Sequence, residues 1–441
     1  MFEIEKIKKS SQKKLYLKIV FILVLILLLM IPNAFVKDLI RERQALEYQV
    51  QSEISKSWGP EQTLIGPILS IPFTVDEIQN DKKIIVPKVL RIVPDSMVTD
   101  VDLKTQIRKK GIYKAILYNA AHDITGVFKL PELKDFGENV NEIFYDKSTL
   151  DLGFSSASSL DNMVAVKWNG ENYKMQSGAS DNNLLVSAIH ALVPLDKETS
   201  VYSFSIDFGI NGTRNINYLP LAANATLKMT GDWADPGFIG FPIPLNREIS
   251  KDGFTAEWKA TEYNRPFKKM WQDNNVRLGT FLKNKTFGVS LIQTVSHYQK
   301  NMRSAKYALL IISMSFLVFF FFEFLKGHKV HPVQYMFIGL ALSVFYFLLL
   351  SFSEHVGFNI AYAIAAVSTV SLMSWYSLYI LGGIKKVMIL AFILLGLYAY
   401  IYTLLQMEDF ALLVGSVGLF FALTITMYLS RNADWYGEDK I

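Results

Sequence analysis

Glu323 carries the strongest chemical signal in this chain. It interrupts the run Phe319-Phe320-Phe321-Phe322-Glu323-Phe324, and an ionised carboxylate held in hydrocarbon is costly enough to mark a proton, ion or substrate path. Lys326, His328 and His331 follow closely and are its candidate partners. Glu323 also stands only two residues from the end of its apolar run, so its side chain can reach the interface. An interfacial salt bridge pinning the helix is therefore the expectation, with a proton or substrate site as the alternative. Glu354-His355 ends another apolar run. It is expected to form a polar turn, with gating or a group titrating near pH 6.5 as the alternative. His328 and His331 lack the Cys or carboxylate that a metal set of defined spacing would bring, so no metal site is expected there. His122, His190 and His297 stand singly. They read as ordinary strand or loop positions, with His122-Asp123 and His297-Tyr298 in turn-like or strand-edge contexts.

Several chemistries are absent by residue type. With no cysteine in 441 residues there is no disulfide framework, thiolate metal site or Cys nucleophile. The Gly-x-x-x-x-Gly-Lys-Ser/Thr phosphate loop and the His-Glu-x-x-His zinc helix are missing, as is the Gly-x-Ser-x-Gly elbow. The expectation is no catalytic residue, no cofactor and no metal.

The elements that would position Glu323 and Glu354 are apolar helices. Half of the chain (51%) is hydrophobic and only 19% is charged, below the roughly 25% usual for soluble domains. A bilayer span needs about 20 apolar residues. Six stretches qualify: Ile19–Val36, Tyr307–Leu325, Val333–Phe352, Asn359–Leu381, Val387–Leu405 and Phe410–Ser430. The first is longer than a signal-peptide core and has no small-x-small cleavage site after it, so it reads as an uncleaved anchor. The Asn359–Leu381 helix is rich in Ala and Ser, which suits close packing at the centre of a bundle. Hydroxyls (Ser343, Tyr346, Ser368, Thr369) are the main polar groups expected at mid-membrane, which counts against ion-coupled transport.

Charge sets the expected orientation. The basic segments before the first span, after the second (Lys326, Lys329), after the fourth (Lys385, Lys386) and after the sixth (Arg431) all fall on one side. Glu354-His355 and Glu408-Asp409 occupy the opposite loops. By the positive-inside rule both termini are cytoplasmic. The expected organisation is a cytoplasmic N-terminus (1–18), a first span (19–36), a periplasmic β-rich domain (37–303), a five-helix block (304–430) and a cytoplasmic tail (431–441). The 37–303 segment holds 32 Lys plus Arg against 31 Asp plus Glu. It is neutral, with no clustered basic face of the kind nucleic acid would require.

The 37–303 segment reads as strands. Leu39, Ile40, Leu46, Val50 and Ile54 suggest a stalk helix ended by Gly59-Pro60. Strand-like runs follow at Leu64–Phe73, Lys83–Leu90, Gly111–Tyr118, Met163–Trp168, Leu184–Val193, Val201–Phe208, Ala225–Met229, Phe254–Trp258 and Phe287–Tyr298. Beyond the stalk, helical content is expected to be minor, with Leu130–Phe144 the candidate. Asn169-Gly170 and Asn211-Gly212 are hairpin-turn signals. Pro236, Pro242 and Pro244 suggest a long inter-strand loop. The fold class expected is a membrane protein of six transmembrane helices, one N-terminal and five C-terminal, with one or two antiparallel β-sandwiches between them.

Particular motifs carry a family resemblance. They are Leu64-Ile65-Gly66-Pro67-Ile68-Leu69-Ser70-Ile71-Pro72, Lys110-Gly111-Ile112-Tyr113, His297-Tyr298-Gln299 through Tyr307-Ala308, and His331-Pro332-Val333-Gln334-Tyr335. Ser353-Glu354-His355-Val356-Gly357-Phe358 and Arg431-Asn432-Ala433-Asp434-Trp435-Tyr436 complete the set. With these the chain resembles the CreD family of bacterial inner-membrane proteins. The resemblance implies the inner membrane of a Gram-negative envelope and a part in envelope integrity and stress response, under a two-component system in some bacteria. It implies no enzymatic activity or cofactor. The expected role is an envelope-integrity factor whose outer domain binds an envelope protein, a lipid or a glycan through a sheet edge or groove. Two alternatives stand beside it. One is a transporter or lipid-handling protein with a cavity lined by Ser368, Tyr346, Glu323 or Glu354. The other is a membrane-bound sensor needing a partner for output.

Overall fold

The computed structural model describes residues 2–79, 82–181, 185, 187–264, 268–272, 285–291, 297–326, 330–407 and 410–431; the side chains of 2–15, 79 and 324–326 lie outside that description. The chain divides into a helical unit, Met1–Leu46 with Val295–Ile441, and a β-rich unit, Glu47–Thr294.

The first helix, α1, runs unbroken over Phe2–Trp58, about 85 Å at 1.5 Å per residue. It contains both the anchor and the expected stalk, and it ends at Gly59, whose φ of 153° few other residues adopt. The helical unit continues with α2 (His297–Lys306), α3 (Ala308–Lys326), α4 (Pro332–Val356), α5 (Phe358–Leu381), α6 (Ile384–Gln406) and α7 (Ala411–Ser430). Among the described residues five helices (α1 and α4 to α7) are long and apolar enough to cross a membrane; α2 and α3, bent by 48° at their junction, pass the same test together and bring the total to six where the pair counts as one broken span. α2 is a correction. Tyr298 was expected to close a strand, but the Phe287–Ser290 strand stops early and Tyr298 lies in the first turn of α2. Its row Tyr298, Asn301, Ser304 and Ala305 recurs at helical spacing and is buried.

α5 packs as its composition suggests. Ala361, Ala365 and Ala366 are buried, and small side chains let neighbouring backbones approach. An aromatic cluster fills the space beside it: Phe345 lies 5.5 Å from Tyr362 and 4.9 Å from Tyr398 between ring centroids, and the Tyr362 hydroxyl donates to the Tyr398 carbonyl at 2.8 Å. α7 has no buried residue. Its tie to α6 includes the Tyr400 hydroxyl, which donates to the Val414 carbonyl at 2.7 Å.

In the β-rich unit a ten-stranded and an eight-stranded sheet share one core. Gln62–Gln79 is the hub of the larger sheet. It pairs antiparallel with Lys82–Ile92, Val140–Ile143 and Thr149–Gly153, and parallel with Asn215–Tyr218. The smaller sheet runs Asn246–Ser250, Gly253–Thr261, Asn224–Gly231, Ser96–Lys110, Tyr113–Lys129, Val201–Thr213, Ala165–Trp168, Glu171–Lys174. Alternation decides which face is inside: Tyr202, Phe204, Ile206, Phe208 and Ile210 are buried, while Ser203 and Asp207 face outward. Two pairings are parallel, Gln62–Gln79 with Asn215–Tyr218 and Asn224–Gly231 with Ser96–Lys110, so the sheets are mixed where purely antiparallel ones were expected. Long connections between those strands allow it.

Three local expectations separate here. Asn169 (φ 49°) and Gly170 (φ 95°) join Ala165–Trp168 to Glu171–Lys174 as the expected left-handed turn. Asn211-Gly212 makes no turn; it lies inside Val201–Thr213, paired to Asn119 and Tyr118. Gly212 is needed because a Cβ there would stand 2.3 Å from the Tyr118 ring. Leu130–Phe144 is not a helix. A single 3-10 turn, Leu133–Phe136, and a strand, Val140–Ile143, occupy it, with Phe136 buried against Phe73. The proline-rich connection also contains a short strand, Gly237–Gly240, paired with Phe287–Ser290.

Candidate functional site

Glu323 on α3 meets α1 rather than its sequence neighbours. Its carboxylate pairs with the Lys18 ammonium. Oε1 also accepts from the Val330 amide at 3.2 Å, and Oε2 accepts from the Tyr335 hydroxyl at 3.0 Å. Lys18 donates further to the Val330 carbonyl at 2.8 Å and lies 5.4 Å from the centre of the Tyr335 ring. Carboxylate and ammonium are thus each satisfied by several partners, which a largely buried ion pair requires. His331 does not join them. It caps α4: its Nδ1 accepts from the Val333 amide at 3.3 Å while its own amide donates to Gln334 Oε1 at 2.8 Å. His328 and the Lys326 side chain lie outside the described residues.

Glu354 at the far end of α4 accepts a hydrogen bond from the Tyr298 hydroxyl at 3.0 Å and has Arg43 Nε at 3.8 Å. His355 beside it is exposed. Glu408 and Asp409 lie outside the described residues. Glu323 and Glu354 therefore belong to separate clusters, one on α1, α3 and α4, the other on α1, α2 and α4. Ser343 donates to the Gly339 carbonyl of its own helix at 3.2 Å. One apolar groove of the helical unit, about 420 Å³, is lined by Met314, Phe321, Ile389, Ile393, Ile425 and Leu429 among others. It includes none of Ser368, Tyr346, Glu323 and Glu354.

The β-rich unit holds two buried polar sets that single-residue reading of the sequence missed. His122 is in the middle of the Tyr113–Lys129 strand, not in a turn. It is buried between the sheets, stacked on Phe208 at 4.7 Å, with Nε2 2.8 Å from the Tyr218 hydroxyl and Nδ1 3.0 Å from the Ala120 carbonyl. Loss of hydration pulls its pKa down to about 4, with the Ala120 bond opposing weakly. The second set surrounds Asp151. His190 is its cross-strand neighbour. Ser180 donates to its two oxygens from the backbone amide at 2.7 Å and from the hydroxyl at 2.5 Å. Burial raises the Asp151 pKa, while Ser180, His190 and Arg91 oppose the rise. Arg91, itself buried, pairs with Asp181. His190 spends Nδ1 on the Gly178 carbonyl at 2.8 Å, and the Ser180 hydroxyl points to the carboxylate, so Ser180 is not poised for attack through an imidazole base. The hidden signal was alternation: Asp151 and His190 share a register position, which spacing alone does not disclose.

The outer face of the eight-stranded sheet is concave and polar. One cross-strand row reads Glu257, Lys228, Asp100, Asp123, Asp207. The middle of its three aspartates, Asp123, is raised in pKa by partial burial and then by Asp207 and Asp100. The hollow over the Glu257, Lys228, Asp100 and Asp123 part of this row has a volume of about 750 Å³ and is bounded by Asp102, Thr230, Glu248 and Thr255 as well. No group of three or more metal-ligating side chains converges among the described residues.

These features define a polytopic membrane protein with a two-sheet sandwich inserted between its first span and its helical block. The family model for the inner membrane protein CreD matches residues 14–436, and the chain belongs to that family. It is 29% identical over 417 residues to the inner membrane protein CreD of Escherichia coli (strain K12), covering 93% of this chain and 91% of that protein. The family places the chain in the inner membrane, in contact with the lipid bilayer, and is not a known enzyme family.

Proposed function

We propose that this chain is an envelope-integrity and stress-response factor that acts by binding, with its β-rich unit in the periplasm and both termini in the cytoplasm. The observation that carries the reading is the hollow on the eight-stranded sheet. It is large enough for a small-molecule or short-chain ligand, and its polar floor is presented by rigid strands. Its wall includes a free edge strand, Asn246–Ser250, with all five residues exposed, which can add a partner's strand. The occupant is an envelope protein, a lipid or a glycan. The basic loops support the orientation. The test is a gene deletion scored for detergent, antibiotic and bacteriocin sensitivity, complemented by wild-type protein and by Asp100→Asn/Asp123→Asn/Glu257→Gln. Full complementation by the triple variant, or an unaltered barrier in the deletion strain, refutes the reading. A reporter fused within 62–290 that is active only in the cytosol refutes the orientation.

The apolar groove between α3, α6 and α7 favours lipid handling as a second reading. Filling it with Ala422→Phe should then alter barrier sensitivity while leaving protein level unchanged.

A further inference from the structure

The junction of α1, α2 and α4 contains buried polar atoms that have no partner among the described residues: Asn33 Oδ1, Asn301 Oδ1 and Ser304 Oγ. Asn33 and Asn301 are each 2% exposed and Ser304 is fully buried. The amide orientations follow from their other bonds. Asn33 Nδ2 donates to the Ala305 carbonyl at 3.0 Å, so the nitrogen is the atom on that side and the oxygen points elsewhere. Ser353 Oγ gives its proton to the Leu350 carbonyl at 2.8 Å, so it can only accept from Asn301, at 2.6 Å. That assignment leaves Asn301 Oδ1 as a bare acceptor.

The three residues are neighbours. Asn301 and Ser304 are three apart on one buried face of α2, and the Asn33 amide is seated on Ala305, the residue after Ser304. They stand at the 48° bend between α2 and α3. Broken spans free backbone and side-chain polar groups that must be satisfied again by protein or by water. One turn back along the same face, Tyr298 bonds Glu354, whose side chain is 11% exposed. A polar row thus leads from the Glu354 end of the bundle to the bend.

We propose that this bend encloses an ordered-water site, in which water donates to Asn33 Oδ1 and Asn301 Oδ1 and exchanges a hydrogen bond with Ser304 Oγ. Water fits the set because the orphans are chiefly acceptors and uncharged. A buried water usually makes about three hydrogen bonds, which is the number of groups left over. No carboxylate belongs to the trio, so nothing selects a metal ion.

Millisecond radiolytic hydroxyl-radical footprinting of the intact, detergent-solubilised protein tests this, because bound water generates the radical in place and oxidises side chains that bulk solvent does not reach. Tyr298 and Val36, each within one turn of the site and no more than 1% exposed, are the reporters; Leu394 of α6, fully buried, is the control. Oxidation of both reporters at least tenfold above Leu394 is expected, falling to the Leu394 level in Asn33→Leu/Asn301→Leu and partway in Ser304→Ala. Reporters that match Leu394 in the wild-type protein overturn the proposal, and that comparison needs no variant to fold. A saturable thermal shift with Na+ or K+ but not choline, abolished by Asn301→Leu, also overturns it, since the occupant would then be a cation.

Discussion

Acidification from pH 7.5 to 5 isolates the cost of keeping His122 neutral. In the folded chain its pKa is about 4, against about 6.5 for a free imidazole. A depressed histidine contributes stability that is complete above pH 6.5, declines as pH falls, and is fully lost below about 4. The gap of roughly 2.5 units corresponds to about 3 kcal/mol in total at 1.36 kcal/mol per unit, of which about 2 kcal/mol has gone by pH 5. Two carboxyls work against it. Asp151 and Asp123 have raised pKa values, so folding takes up protons there and their contributions grow as pH falls. The raw pH slope therefore understates the histidine. His122→Gln removes the titration but keeps a side chain able to meet the Tyr218 hydroxyl. Urea unfolding of the solubilised protein, followed through the fluorescence of the buried Trp168 and Trp258, gives the stability of wild type and variant at both pH values. The expected result is a wild-type loss larger than the variant's by about 2 kcal/mol. Equal losses would refute the neutral, desolvated assignment and would mean that water or a counter-charge reaches the ring.

Removing one member of the Lys18–Glu323 pair, by Lys18→Met, should lower the stability of the helical unit by about 3 kcal/mol, and Lys18→Met/Glu323→Leu should recover most of it; SDS-titrated unfolding reads both, and equal losses in single and double variants would sink the pairing argument. Glu323→Gln and Glu354→Gln should each complement a deletion strain's barrier phenotype when these carboxylates pin helices and do no chemistry. Gly212→Ala should cost about 1–3 kcal/mol through overlap with Tyr118, measured by the same urea assay. Gly170→Ala, at φ 95° with open space around it, should cost only about 1–2 kcal/mol from backbone strain.

Much of the architecture was legible because its signals are local. The apolar runs at Ile19–Val36 and Val333–Phe352 announce their helices by length alone, and Asn169-Gly170 dictates its turn through two positive φ angles. Asn211-Gly212 carries the same letters and fails. There the glycine answers a long-range demand, the Tyr118 ring lying across the strand, which no window around residue 212 contains. Leu130–Phe144 failed for a similar reason: Phe136 is drawn onto Phe73, and tertiary packing overrides local propensity. The candidate clusters were the least legible. Glu323 was conspicuous, but its partner Lys18 lies 305 positions away in a stretch that reads as orientation charge. His122 read as an ordinary strand or loop position, and nothing in the sequence singled out Asp151 or Arg91; strand register is what brings His190 opposite Asp151.

The branching of the larger sheet around Gln62–Gln79 bears on how the protein can be made. That strand accepts neighbours from the next hairpin and from segments as late as Asn215–Tyr218, which in turn needs Phe287–Ser290 to cover its own edge. At a synthesis rate of about 5–20 residues per second, roughly seven to thirty seconds separate the emergence of the first strand from that of its parallel mate. During that interval the rest of the strand can pair with Lys82–Ile92 and Thr149–Gly153, while its Gln62–Leu64 end stands as an unpaired edge. Closure of the larger sheet at that end therefore waits on chain synthesis, first for Asn215–Tyr218 and then for Phe287–Ser290, which covers it.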